Sequence, residues 1–194
     1  MSTVTQILNW ISTSLLLPVI VLLLASLGAA LISLGGFCAT CITLLQEKKK
    51  QISLLKKIRT SAEFTQDDIN ENGIFSNHLQ EMFDLEFDEL ECEKFISEVA
   101  QNYEKELERS RFLTKTAPML GLMGTLIPMG PALAGLASGD IENMAYNMQI
   151  AFATTVVGCT VAGIALLIYS AKKHWYAEEI SNLRYVLDRK LAGR

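Results

Sequence analysis

Apolar and polar residues are strongly segregated along this chain. Residues 116–139 and 143–171 contain no charged side chain, giving runs of 24 and 29 residues parted by a short turn that holds Asp140 and Glu142. At ~1.5 Å of rise per residue they make helices of roughly 36 and 43 Å, enough to cross a hydrocarbon core of about 30 Å. In lipid a backbone must satisfy its own hydrogen bonds, so the pair is predicted to form an antiparallel transmembrane hairpin. A third run, 15–45, spans 31 residues, and the first charge after it is Glu47. It is too long for a signal-peptide core and lacks the basic residues that normally precede one, so it reads as a retained first transmembrane helix. The fold class is an all-α membrane protein with three transmembrane helices.

The segment between the first and second runs alternates differently. Leu79, Met82, Phe83, Phe87 and Leu90, then Ile96, Val99, Tyr103 and Leu107, recur at three and four residues, which predicts one amphipathic helix with an acidic outer face. No proline intervenes before Pro118, so this helix is expected to continue into the second span. Upstream, residues 60–77 read as a polar connector broken at the turn dipeptide Asn72-Gly73. Residues 175–191 keep helical spacing and are expected to prolong the third span.

Charge orients this arrangement. Lys48, Lys49, Lys50, Lys56, Lys57 and Arg59 follow the first run; Arg109, Arg111 and Lys115 precede the second; Lys172 and Lys173 follow the third. Positive flanks stay in the cytoplasm, which predicts N-out, C-in topology, with long helices extending into the cytoplasm and a location in the cell's inner membrane. The organisation is then 1–46, N-terminal segment and first span; 47–115, cytoplasmic helical insert; 116–139, second span; 140–142, outer turn; 143–171, third span; and 172–194, cytoplasmic C-terminal helix.

The net charge of −4 and the absence of a basic, aromatic-interleaved face argue against nucleic-acid binding. Three of the four cysteines, Cys38, Cys41 and Cys159, lie in apolar runs, and Cys38-x-x-Cys41 has no second ligand pair, so neither a disulfide framework nor a metal site is expected. Two isolated histidines, His78 and His174, with no nucleophile–base set, imply no enzyme and no cofactor.

No Asp, Glu, Lys, Arg or His falls in the spans. Such groups usually mark an ion or proton relay, so any ion path here needs a titratable group from another chain. Hydroxyls are present at Thr125, after Gly121 and Gly124, and at Thr154 and Thr155. Pro128 and Pro131 are expected to free the carbonyls of Gly124 and Ile127 beside Thr125. Alternatively, the threonines simply bond to their own helix and the prolines kink it. Thr154, Gly158 and Ala162 form a close-packing row, and Gly28, Ala29, Gly35, Gly36 and Ala39 are small enough to admit another helix against the first span.

These residues resemble the MotA/TolQ/ExbB family of ion-driven membrane motors. The stretch TAPMLGLMGT, 116–125, is similar to the family's Ala-Pro, Gly, Gly-Thr pattern, and AFATTVVG, 151–158, to the Ala-x-x-x-Thr-x-x-Gly opening of its next span. The resemblance implies a homopentamer whose second and third helices line a pore around two single-span helices of an ExbD-, TolR- or MotB-like partner carrying the titratable aspartate. It implies an ion pathway at Thr125 and Thr155, with packing and kinks at Pro118, Gly121, Gly124, Pro128, Thr154 and Gly158. Two departures stand out: Ile150, beside Gln149, where ExbB and TolQ carry glutamate, and Pro128 where glycine is common. The function implied is a ring-forming subunit of a proton- or other ion-driven motor or energy-transducing complex. A non-conducting membrane scaffold, or a family member adapted to signalling or defence, is the alternative.

Overall fold

The computed structural model describes residues 2–60 and 73–192. Among them there are four helices and no strand: α1 (Ser2–Thr60), α2 (Ile74–Asp84), α3 (Glu89–Ser138) and α4 (Ile141–Ala192). Three of these, α1, α3 and α4, are long and apolar enough to cross a membrane. From Glu89 onward the amphipathic segment runs into the second apolar run as one helix, and the third run continues into the C-terminal segment as one helix. Pro118, Pro128 and Pro131 sit within α3 without ending it.

Helix ends are set by local chemistry. At the α3–α4 turn, Gly139 takes φ +78°, a left-handed value that glycine adopts without a Cβ clash. Asp140 N donates to Gly135 O at 2.8 Å and Gly139 N to Leu136 O at 3.2 Å, which closes α3 with paired end carbonyls. Asp140 then starts α4, its carboxylate accepting from Asn143 N at 3.0 Å. The same device, less comfortably built, separates α2 from α3. Glu86 N donates to Phe83 O and Phe87 N to Met82 O, but the left-handed positions are Glu86 (φ 52°) and Phe87 (φ 51°). Asp88 caps α3 by accepting from Leu90 N and Glu91 N, each at 3.1 Å, with Glu89 and Glu91 in the first turn favourable to the helix dipole.

This break corrects the expectation of one amphipathic helix over 79–107. Phe87 is only 2 % exposed in the core, whereas Leu90, expected on the same buried face, is 77 % exposed. The two left-handed residues reset the helical phase, and the burial of Phe87 holds them there. Left-handed geometry costs a non-glycine residue about 1–2 kcal/mol. Because Glu86 is exposed, Glu86→Gly is expected to stabilise the fold by roughly 1 kcal/mol, read as a higher denaturation midpoint in detergent. The connector expectation over 60–77 is also shortened: Gly73 is the N-cap of α2 and Ile74–Asn77 are helical, while Asn72 lies outside the described residues.

The chain forms two compact units, Met1–Gly35 with Arg109–Tyr169, and Gly36–Glu108 with Ser170–Arg194. In the first, Ala30, Ala117 and Val161 make a buried cluster joined by Leu27, Val157, Ala162 and Ile164. Helix α1 contributes through Val19, Leu23 and Ala30, and leaves most of its circumference exposed. Within the chain the helix contact of α1 falls on the Leu23–Ala30 side, and a Cβ on Gly28, Gly35 or Gly36 would meet nothing within 4 Å.

The second unit has a larger core, in which Phe75, Leu79, Met82, Phe87, Cys92, Ile96, Leu183, Val186 and Leu187 cluster with Leu55 and Ile180 at the margin. Polar contacts add to it. His78 Nδ1 lies 3.0 Å from Glu179 Oε1, and Tyr103 stacks on Tyr176 with ring centroids 4.0 Å apart. Burial, then the neighbouring Glu179 carboxylate, pushes the Tyr103 hydroxyl above its ordinary value; burial and the hydrogen bond to Glu106 do the same to Tyr176.

Glu106 accepts from Lys172 Nζ at 2.5 Å and from Tyr176 Oη at 2.6 Å. Partial burial opposes its charge, but these two hydrogen bonds and the lysine's charge prevail and hold its carboxyl below the usual value of 4.5. A folded value below the unfolded one means the stabilisation is present above about pH 4.5 and is lost as pH falls through the folded value. Glu106→Gln is therefore expected to lower the melting temperature modestly at pH 7 and to flatten its decline on acidification below pH 5. An unchanged acid limb would show that the contact contributes nothing.

Candidate functional site

The first unit brings the two uncharged runs together along small-residue stripes. On α3 the buried positions are Ala117, Gly121, Gly124, Pro128, Ala132 and Gly135; on α4 they are Ala151, Thr154, Gly158, Val161, Ala165 and Ile168. Both advance in steps of three and four, one face of a 3.6-residue helix. Small side chains let the two backbones approach. A Cβ built on Gly158 would lie 2.8 Å from Ala117 O and 2.9 Å from Gly121 Cα, and one on Gly121 would lie 3.3 Å from Thr154 O. On Gly124 it would lie 2.6 Å from both Cβ and Oγ1 of Thr154, so the Thr154 side chain fills the notch that this glycine leaves.

Of the residues singled out from the sequence, Gly121, Gly124, Pro128, Thr154 and Gly158 thus lie on one contact, whereas Pro118 is exposed and off it. The expected row Thr154, Gly158, Ala162 is only partly right, since Ala162 is half-buried and the stripe passes through Val161. Ala117 and Ala151 were not singled out. The signal that finds them is the step of three or four from Gly121 back to Ala117 and from Thr154 back to Ala151, inside the same motifs.

Thr125 and Thr155 each stand one residue beyond a contact position, about 100° further round their helices. Both are half-exposed. Their hydroxyl protons are engaged within their own helices: Thr125 Oγ1 donates to Leu122 O at 2.7 Å and Thr155 Oγ1 to Ala151 O at 3.2 Å. Thr154 Oγ1 donates to that same Ala151 carbonyl at 2.9 Å. Each hydroxyl oxygen keeps acceptor capacity after donating. Pro128 and Pro131 have no N–H to give to the carbonyls of Gly124 and Ile127. The face beside the contact is therefore rich in acceptors, without charge, and without a titratable group of its own. Such a surface is suited to holding water or a desolvated cation whose counter-charge is brought by another chain. Ile150 is half-buried, and Gln149 lies in an open hollow of about 480 Å³ at the outer-turn end with Asp140, Glu142, Asn143, Ala145 and Tyr146.

The profile of the MotA/TolQ/ExbB proton channel family matches residues 61–184. The chain belongs to this family. The matched region takes in all of α3 and α4 as far as residue 184, and α1 precedes it. Membership, with three apolar helices of spanning length, makes this a membrane protein of a family with a proton-channel role in motor-like complexes that work with partner proteins. Searches of curated proteins and of solved structures returned no match.

Proposed function

We propose that this protein is the ring-forming subunit of a proton-driven membrane motor or energy-transducing complex, embedded N-out and C-in in the inner membrane. Five copies surround a pore lined by the second and third spans. Two single-span ExbD-, TolR- or MotB-like partner helices occupy it and supply the titratable aspartate. The observation that carries this reading is the uncharged α3–α4 contact, packed backbone to backbone through Gly121, Gly124 and Gly158, with the half-exposed Thr125 and Thr155 at its edge. Those threonines offer oxygens to the water or ion exchanging with the partner's aspartate. The chain is not an enzyme on this reading; its work is to gate and convert an ion gradient.

A second reading, a scaffold that conducts nothing, draws support from the absence of charge in the spans and from the engagement of the threonine protons within their own helices. The two separate in proteoliposomes that contain the chain and a single-span partner under an imposed proton gradient. The motor reading expects dye-detected proton uptake that disappears when the partner's intramembrane aspartate becomes asparagine. Assembly without uptake favours the scaffold.

A further inference from the structure

Two side-chain hydroxyls share one carbonyl on α4. Thr154 Oγ1 donates to Ala151 O at 2.9 Å, and Thr155 Oγ1 donates to the same atom at 3.2 Å. In a continuous helix that carbonyl also takes the backbone N–H of Thr155, four residues further on. A carbonyl oxygen has two lone pairs, so three donors compete for two places. The backbone N–H is fixed by the helix. Thr154 is held as firmly, because it is wedged into the notch at Gly124: a Cβ there would lie 2.6 Å from both its Cβ and its Oγ1 and 3.1 Å from its Cγ2. Only 7 % exposed, and gripped on all three side-chain atoms, it keeps its proton on Ala151 O.

Thr155 is the donor that yields. An O–H···O bond ordinarily spans about 2.5–3.0 Å, a range that the Thr154 bond meets and the Thr155 bond exceeds. Thr155 is also half-exposed, so its hydroxyl has space to turn outward. Thr125 supplies the contrast. Its hydroxyl donates to Leu122 O at 2.7 Å, and the residue four beyond Leu122, Leu126, brings no competing hydroxyl to that carbonyl. The proton of Thr125 is therefore firmly held, and that of Thr155 is not.

We propose that Thr154 is a positioning residue: by occupying the Ala151 carbonyl, it releases the Thr155 hydroxyl to donate its hydrogen bond to the partner's ionised aspartate. This rests on the motor reading above and divides the work of its two threonines, Thr155 donating to the carboxylate and Thr125 only accepting. No proton leaves Thr155. Its hydroxyl exchanges one acceptor for another, and returns to Ala151 O once the aspartate is protonated.

Three substitutions isolate the hydroxyl. Thr154→Val keeps the volume of the side chain and Thr154→Ala does not, but both lose the hydroxyl; Thr154→Ser keeps the hydroxyl and loses the methyl. Each variant is reconstituted with the single-span partner in proteoliposomes, and proton uptake is normalised to assembled protein. Valine and alanine are both expected to lower uptake roughly 2- to 10-fold, the worth of one net hydrogen bond, and serine to stay within about 2-fold of the parent. Measured against the residual uptake of Thr155→Val, adding Thr154→Val is expected to cause no further loss, because the proton it positions is already gone. Uptake equal to the parent in both the valine and alanine variants overturns the positioning role. So does a loss with serine as large as with valine, or a further loss in the Thr155→Val background, since either makes Thr154 a packing residue alone. All of these leave the motor reading standing. A parental protein that takes up no protons with its partner overturns both.

Discussion

Replacing Thr155 by valine is expected to cut ion-dependent work severely while leaving the protein folded and assembled. Valine matches threonine in shape, and the hydroxyl it removes donates only to Ala151 O at 3.2 Å, a carbonyl that also accepts from Thr154 at 2.9 Å. No buried acceptor is orphaned by the change, so the folding cost is within about 1 kcal/mol. On the proposed reading, the ion path loses a half-exposed oxygen at the edge of the α3–α4 contact. Losing one polar partner in a poorly solvated path costs about 1–3 kcal/mol, which corresponds to a roughly 10- to 100-fold drop in flux. Proton uptake by proteoliposomes containing the variant and its partner, normalised to assembled protein, measures the effect. Uptake equal to the parent would remove Thr155 from the pathway. Thr125→Val is a parallel case on the facing helix, where the hydroxyl donates to Leu122 O at 2.7 Å.

Gly158→Ala is expected to do the opposite, damaging the fold itself. The added methyl would sit 2.8 Å from Ala117 O, 2.9 Å from Gly121 Cα and 3.2 Å from Gly121 N, all backbone atoms that no rotamer change can move. The helices must separate, with an overpacking cost of about 1–3 kcal/mol and loss of the tight contact along the whole stripe. Gly163 lies five residues further along α4, and a Cβ there meets nothing within 4 Å. Gly163→Ala is therefore the matched control, expected to be neutral or slightly stabilising through helix propensity. Thermal unfolding of the two variants in detergent decides the point: equal midpoints would mean that the close approach at Gly158 is not limiting.

Much of this fold was legible because membrane helices advertise themselves. Uncharged runs longer than a bilayer is thick leave the backbone few options, and the absence of proline and glycine between 85 and 117 made the long α3 readable. The break at Glu86 and Phe87 was not readable, since neither residue is a turn former and the left-handed pair is imposed by the burial of Phe87. The same tertiary cause turned Leu90 outward. On α1, small residues only permit approach and do not say which side is used within the chain, where Val19, Leu23 and Ala30 are the ones buried. In the hairpin, glycine spacing located Gly121, Gly124 and Gly158 correctly because backbone contact admits no larger residue. Which threonine is buried and which stays half-open depends on a single residue's rotation about the helix, and the motif alone does not separate Thr154 from Thr155.

The central claim is that this chain forms a five-membered ring around two partner helices. Native mass spectrometry of the detergent-solubilised protein, alone and with a single-span partner encoded beside it, tests that claim most directly. The account predicts a pentamer that retains two partner chains. A monomer or dimer that ignores the partner would contradict it and leave the scaffold reading in its place.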